Sequence, residues 1–345
     1  MQAVCGVLCM GRKPTAQDVS IAAGVSRSTV DRVLNNRGGV TPDKERRVLL
    51  WARRLGLDRA LDLRAARTLQ IAIILQQASN PFHAEMQKQF RAASLEMSGL
   101  NLSLSIFHMA SDRRKLMKLI ESVGSRYDGL MVSLSRSPEI SAALIKVSRN
   151  IPLITVATDI PDCGRQAYVG PDDIQAGRVA GDLLGRFIVK DGGKVLVIAG
   201  ALAMEGQERR IQGFGAVMSD RYPQCRILPV RECGDDENKA HRIAVRALQL
   251  HSDIQGIYVS SQGARAVAEA LDLAGRSGTV SLVTHELTTE RRQLLLDKRI
   301  DAVIDQDPAF EVRVAIQTMA CLLGRLEGSP ESRVTPIHIH MIENA

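Results

Sequence analysis

Residues 15–35 read Thr15-Ala16-Gln17-Asp18-Val19-Ser20-Ile21-Ala22-Ala23-Gly24-Val25-Ser26-Arg27-Ser28-Thr29-Val30-Asp31-Arg32-Val33-Leu34-Asn35. Thr15 is a helix N-cap, because its side-chain oxygen accepts a hydrogen bond from an otherwise orphaned amide of the first turn. The helix it opens runs over Ala16–Ala23 and stops at Gly24, which enters the left-handed conformation without a Cβ penalty. Ser26 then caps a second helix over Arg27–Leu34, so the stretch is helix, short turn, helix. After the loop Asn35-Asn36-Arg37-Gly38-Gly39, Thr41 caps a third helix with Pro42 in its first turn, running to about Leu55-Gly56. Residues 15–56 form a compact all-α head, preceded by an apolar extension, 1–14, that is expected to be disordered.

The chain has 345 residues and a formal net charge of +7. Residues 1–69 hold thirteen Lys and Arg against six Asp and Glu, and the rest is balanced at 32 of each sign, so all of the excess sits in the first fifth. A basic module on a neutral body is the footprint of a polyanion-binding head, since neutralising phosphates releases counterions. Aromatic residues make up only 3%, too few for base- or sugar-stacking platforms to dominate. The six cysteines, Cys5, Cys9, Cys163, Cys225, Cys233 and Cys321, show no paired spacing for zinc, and reduced thiols in a cytoplasm fit them best. The opening MQAVCGVLCM lacks the charged start and long apolar centre of a signal peptide, and no run is long enough to span a membrane.

From residue 70 the pattern changes to β-type apolar runs alternating with amphipathic helices, which is the signature of a doubly wound sheet. Strands are predicted at Gln70–Leu75, Leu102–Phe107, Gly129–Leu134, Leu153–Ala157, Lys194–Ala199, Arg226–Val230, Gly256–Val259, Val280–Thr284 and Ala302–Ile304. That exceeds one ordinary sheet, so the body is two α/β lobes with a cleft between them. The predicted division puts about 70–168 plus 306–328 in lobe one and about 169–305 in lobe two, within a body of 70–345.

The head motif resembles that of the lac repressor family, whose pattern is close to T-x-x-D-V-A-x-x-A-G-V-S-x-x-T-V-S-R-V-L-N, and the agreement is dense over about twenty residues. Asn80-Pro81-Phe82, Tyr168-Val169-Gly170 before Ala176-Gly177, Arg210-Ile211-Gln212-Gly213-Phe214 and Gln306-Asp307-Pro308 extend the resemblance across nearly everything beyond residue 14. It implies a periplasmic-binding-protein-like body of two doubly wound lobes behind the helix-turn-helix head. It further implies double-stranded operator DNA and a small-molecule effector as partners, a homodimer or tetramer, and no cofactor, metal or membrane.

In the head, Arg27, Ser28 and Arg32 occupy the family's base-reading positions, and arginine suits bidentate contact with guanine in the major groove. Ser26, Thr29 and Asn35 are assigned to phosphate positioning. Asp31 departs from the family's serine; its carboxylate is expected either to accept from cytosine or to orient Arg32. In the linker, 57–69, the family folds a hinge helix whose leucine wedges into the minor groove. Here the wedge position falls on Ala66, with Leu63 one turn earlier, and the usual proline and asparagine are missing. A surface helix packing Leu61 on the body is the alternative.

For the effector, the resemblance selects Asn80, Phe82 and His83 after the first strand, Ser133 and Ser135 after the third, and Thr158 and Asp159 after the fourth. From the second lobe it selects Arg210, Ser261, Glu286 and Gln306. Amides, carboxylates and an arginine of this kind suit a sugar, polyol, cyclitol or sugar acid. The family's cleft Asp maps onto Ala157, its eighth-strand Asp onto Glu286 and its second-lobe Asn onto Ser261. These departures favour a polyol, cyclitol or sugar acid over a common hexose. His338 and His340 share one face of a terminal strand, which reads as a solvated edge rather than a metal site. An exported solute-binding protein would share the body but has no use for the head, and an enzyme of sugar metabolism needs a nucleophile or metal constellation for which the sequence offers no candidate.

Overall fold

The computed structural model describes residues 14–35, 37–55, 57, 67–109, 112–188 and 192–345. In the head, α1 (Ala16–Ala23), α2 (Arg27–Leu34) and α3 (Pro42–Leu55) pack Val19, Ala23, Val30, Val33, Val48, Leu49 and Ala52 into one small core. The first cap is reciprocal: Asp18 takes the Thr15 amide at 2.7 Å while the Thr15 hydroxyl faces the Asp18 amide at 3.4 Å. Gly24 ends α1 at φ 62°, and the Ser26 hydroxyl accepts the Thr29 amide at 3.2 Å. Trp51 is half-buried against this core, with the Arg54 guanidinium 5.3 Å from its ring centre.

The body runs β1 (Leu69–Leu75), α4 (Pro81–Glu96), β2 (Leu102–His108), α5 (Arg113–Arg126), β3 (Gly129–Val132), α6 (Pro138–Ser148), β4 (Leu153–Val156) and β5 (Ala167–Pro171). It continues with α7 (Asp173–Phe187), β6 (Gly193–Ala199), α8 (Glu205–Arg221), β7 (Cys225–Ile227), β8 (Arg231–Glu232), α9 (Glu237–Leu250), β9 (Ile254–Val259) and α10 (Ala264–Leu273). Last come β10 (Ser281–His285), α11 (Thr289–Leu296), β11 (Ala302–Asp305), α12 (Pro308–Leu322), β12 (Arg333–Thr335) and β13 (His338–His340). Among the described residues these strands form two sheets. The first has the order β12-β5-β4-β3-β1-β2 and is parallel throughout. The second has the order β13-β11-β10-β9-β6-β7, with β8 also on β6 and only β13 antiparallel.

Parallel sheets covered on both faces need strands that are apolar on both, and β1 is such a strand. Ile71, Ile73 and Leu75 pack with Phe82, Met86 and Met319 on one side, while Ala72 and Ile74 pack with Leu116, Ile120 and Leu144 on the other.

Several boundaries differ from the sequence reading. The strand expected at Arg226–Val230 is shortened to β7, which ends at Ile227, with β8 beginning only at Arg231, and β3 stops at Val132 rather than Leu134. β5 and β12 had no strand prediction at all, because five and three residues carrying Gly, Pro or Arg do not form a β-type run. The predicted division at 168/169 falls inside β5, whose pairing with β4 through Val169 and with β12 through Pro171 keeps the chain in the first sheet. The chain thus passes between the sheets at 171–173, 305–308 and, beyond the two crossings expected, 335–338.

Two features near these crossings set the geometry of the cleft. Helices α7 and α8 approach so closely that a Cβ on Gly177 would lie 1.9 Å from the Arg210 carbonyl oxygen, and one on Gly213 2.1 Å from that of Ile174. Glu311, in the first turn of α12, is buried and takes a 3.3 Å hydrogen bond from the Thr335 hydroxyl, which ties the second crossing to the third. Burial, reinforced by Asp173, holds the Glu311 carboxyl well above the usual carboxylate range. Its neutral form therefore supports the fold below the unfolded-state value near 4.5, and that support drains away as pH rises through the native value. Glu311→Gln should flatten this alkaline loss in melting temperature measured from pH 5 to 9; an unchanged slope contradicts the assignment.

The head meets the body beyond α12. Arg325, almost fully buried, donates to the Arg67 carbonyl at 2.6 Å and reaches Glu45 at 3.4 Å, and Arg54 pairs with Glu327 at 3.3 Å. Leu61, Leu63 and Ala66, the linker positions weighed above, lie outside the described residues, as do Cys5 and Cys9.

Candidate functional site

Parallel α/β sheets present ligands with the carboxyl ends of their strands, where loops and helix N-termini converge. Both lobes place that end toward the same cleft. After β1, Asn80 caps α4 by accepting the Phe82 amide at 3.0 Å, which brings Asn80, Phe82 and His83 to the cleft wall. Ser133 follows β3, and Ala157 and Thr158 follow β4. Asp173 in α7, Gln207 and Arg210 in α8, Ser261 and Gln262 after β9, Glu286 after β10 and Gln306 after β11 face them. With the lobes as they stand, the space between them is about 50 Å³, well below the about 300–1,000 Å³ usual for small-ligand pockets, so the lobes have to part to admit a ligand.

Two of the wall residues hold strained backbone. Ala157 has φ 63° and Glu286 φ 55°, left-handed values that cost a non-glycine residue about 1–3 kcal/mol. Each ends a strand and turns the next residues sharply at the cleft rim.

The floor is an ionic chain. Arg210 Nε donates to Asp173 at 2.8 Å, its Nη1 to Glu286 at 3.1 Å and to the Ser260 carbonyl at 3.2 Å, and Arg291 approaches Glu286 at 3.5 Å. Burial raises the Asp173 carboxyl and lowers the Arg291 guanidinium. The Arg210 guanidinium, flanked by Asp173 and Glu286, is nevertheless held charged more firmly than a free arginine, so the pair stays ionic. Gln306 Nε2 donates to the same Glu286 oxygen at 2.9 Å. His83 is different: burial, assisted by the charge of His108, lowers its imidazole to about 4, so it is neutral at pH 7.

The lobes touch directly across the cleft. Asn80 accepts from Gln262 at 3.2 Å and faces Asp235 at 3.4 Å, Arg136 pairs with Glu205 at 2.7 Å, and the Thr158 hydroxyl accepts the Gly206 amide at 3.2 Å. This is a closed arrangement.

Of the residues selected from the sequence, Asn80, Phe82, His83, Ser133, Thr158, Arg210, Ser261, Glu286 and Gln306 line this one space. Ser135 does not; its hydroxyl points to Met204 Sδ at 3.0 Å, at the lobe contact. Asp159 does not either. Its two oxygens accept Arg165 Nε and Nη2 at 2.5 and 2.6 Å and a third bond from Thr155, because the turn at Ala157 sends Thr158 rather than Asp159 toward the cleft. Sequence reasoning missed Asp173, Gln207 and Gln262. Asp173 follows the N-cap Asp172 in the first turn of α7, and its partner Arg210 is brought to it by the close packing of α7 on α8.

On the head, Arg27, Ser28, Asp31, Arg32 and Asn35 are exposed along α2, with Ser26 exposed at its cap and Thr29 half-buried. Asp31 does not orient Arg32. It accepts from Asn35 at 2.8 Å and pairs with Arg37 at 3.2 Å, fastening the loop after the helix instead. Arg32 lies beside Gly39, where a Cβ would come within 2.8 Å of its guanidinium.

Residues 71–326 match the periplasmic binding protein domain, and residues 15–56 match the head of the bacterial regulatory proteins of the lacI family. The regulator DegA of Bacillus subtilis is 27% identical over 60% of this chain and 61% of its own length. The D-allose-binding periplasmic protein of Escherichia coli is 24% identical over 72% of this chain and 83% of its own. GanP, a glucose-galactose binding protein from Geobacillus stearothermophilus, superposes with a TM-score of 0.72 at 22% identity, covering 81% of this chain and 99% of its own, a likeness of fold alone. With the head matched at one end and the two-lobed body along most of the remainder, the chain belongs to the lacI family of bacterial regulatory proteins.

Proposed function

We propose that this regulator is a repressor: a cytoplasmic homodimer whose paired heads grip a pseudo-palindromic operator, and whose cleft binds a sugar, polyol, cyclitol or sugar acid that changes the grip. The observation that carries the reading is the union in one chain of a basic head with an exposed recognition helix and a body with a polar, closable cleft. One head reads few base pairs, and two-fold symmetry doubles the site. Arg27, Ser28 and Arg32 read base edges, Ser26, Thr29 and Asn35 hold phosphates, and Asp31 acts through Arg37. The linker carries the effector's signal, with Leu63 as its minor-groove wedge. A solute-binding role makes use of the cleft but leaves the head unexplained.

Selecting duplexes from a random pool with the full-length protein tests the reading, and a two-fold symmetric consensus is expected. Affinity for that consensus should fall by about 0.9 log unit per log unit of salt for each phosphate neutralised. Arg32→Ala should lose about 1–3 kcal/mol of discrimination at one base pair while binding scrambled DNA as before. Equal weakening on consensus and scrambled duplexes reassigns Arg32 to the phosphates, and recovery of no consensus defeats the reading.

A further inference from the structure

The cleft floor is electrically closed. Asp173, Arg210, Glu286 and Arg291 form a continuous chain of two carboxylates and two guanidiniums, each less than 10% exposed. No cation in this chain is left over for a ligand carboxylate or phosphate. An added anion would sit against two buried carboxylates without a counter-charge, which a low-dielectric site penalises heavily.

What the wall leaves open is neutral. Ser133 Oγ, Gln306 Oε1 and His83 Nδ1 have no hydrogen-bond partner, although their residues are only 1%, 3% and 5% exposed. All three residues line the cleft. The orientation of Gln306 follows from chemistry, since the atom that bonds the Glu286 carboxylate has to be the donor nitrogen. Its oxygen therefore needs a donor such as a hydroxyl; sugar acids and sugar phosphates carry hydroxyls too, so what disfavours them is the missing counter-charge on the floor. Ser133 and a neutral imidazole can each be completed by a hydroxyl, whichever ring nitrogen carries the proton. Buried polar atoms lacking partners are rare and costly, and a ligand bearing several hydroxyls would satisfy all three at once.

On the reading of the cleft as an effector site, we infer that the effector is an uncharged polyhydroxy compound, and that His83 helps to select it by exchanging a hydrogen bond between ring Nδ1 and a ligand hydroxyl. This narrows the ligands proposed for the cleft to sugars, polyols and cyclitols, with sugar acids and sugar phosphates excluded. Binding is then insensitive to pH between 6 and 8, since the imidazole, lowered to about 4, stays neutral throughout.

Calorimetric titration of the full-length protein with D-ribose, D-allose, D-arabinose, D-galactose, ribitol and myo-inositol, against D-ribonate, D-galacturonate and D-ribose 5-phosphate, tests this. At least one neutral probe is expected to bind, with any charged counterpart weaker by about a hundredfold or more. His83→Phe keeps the ring volume and should weaken the bound probe by on the order of tenfold without lowering the melting temperature, while His83→Asn, which returns a polar atom near Nδ1, should recover part of the loss. A charged probe binding as tightly as its neutral counterpart overturns the inference and leaves the regulator reading standing. Unchanged affinity in His83→Phe removes His83 from the selection. Binding of no probe in either set overturns the inference together with the effector reading on which it rests.

Discussion

Arg210→Ala is expected to destabilise the protein by about 3–5 kcal/mol, because it strands the buried Asp173 and Glu286 carboxylates without a counter-charge. Effector binding should be lost in the same variant, since the guanidinium both lines the cleft and orients Glu286 for Gln306. Two roles for one residue mean that a melting curve alone cannot separate them. A double variant, Arg210→Met with Asp173→Asn, removes one charge of each sign, leaves Glu286 paired with Arg291, and should regain most of the stability while still failing to bind. Denaturant unfolding and calorimetry on both variants check the pair of outcomes. An Arg210→Ala protein that unfolds at the wild-type midpoint would show that the ionic chain is not formed.

The second large effect is expected from Gly177→Ala. Its new methyl would have to displace the backbone of α8 at Arg210, a clash with a carbonyl oxygen rather than with a flexible side-chain tip. Overpacking of this kind costs about 1–3 kcal/mol. The shift also carries Arg210 away from Asp173, so affinity for the effector should drop along with stability. The control is Gly215→Ala on the same helix, where a methyl meets nothing within 4 Å. That variant should gain helix propensity, by roughly 1 kcal/mol at most. If the two glycine variants melt alike, the close α7–α8 packing is not what fixes Arg210.

How much of this was legible beforehand depends on the kind of signal. The head was legible to the residue, because caps and a left-handed glycine are local: Thr15, Gly24 and Ser26 act on amides within a few positions. The buried parallel strands were legible from their apolar runs. β5 and β12 were not, since β12 exists only by pairing with β5, a partnership between positions about 165 residues apart, and β5 is itself held between β12 and β4. The same distinction governs the cleft. Resemblance placed nine of its lining residues, whereas the ionic partners of Arg210 are set by contacts between α7, α8 and the end of β10. Asp159 shows the converse. The resemblance put it near the cleft, but one residue in a left-handed conformation, Ala157, turned it to Arg165.

The central claim is that cleft and head are coupled, and the most direct test is the affinity of the full-length protein for its selected operator, followed by fluorescence anisotropy with and without a saturating cleft ligand. Coupling of about 1–3 kcal/mol predicts an affinity change of about 5- to 150-fold, and linkage requires the operator to change ligand affinity by the same factor. An operator affinity that is identical with the cleft empty and filled would contradict the account.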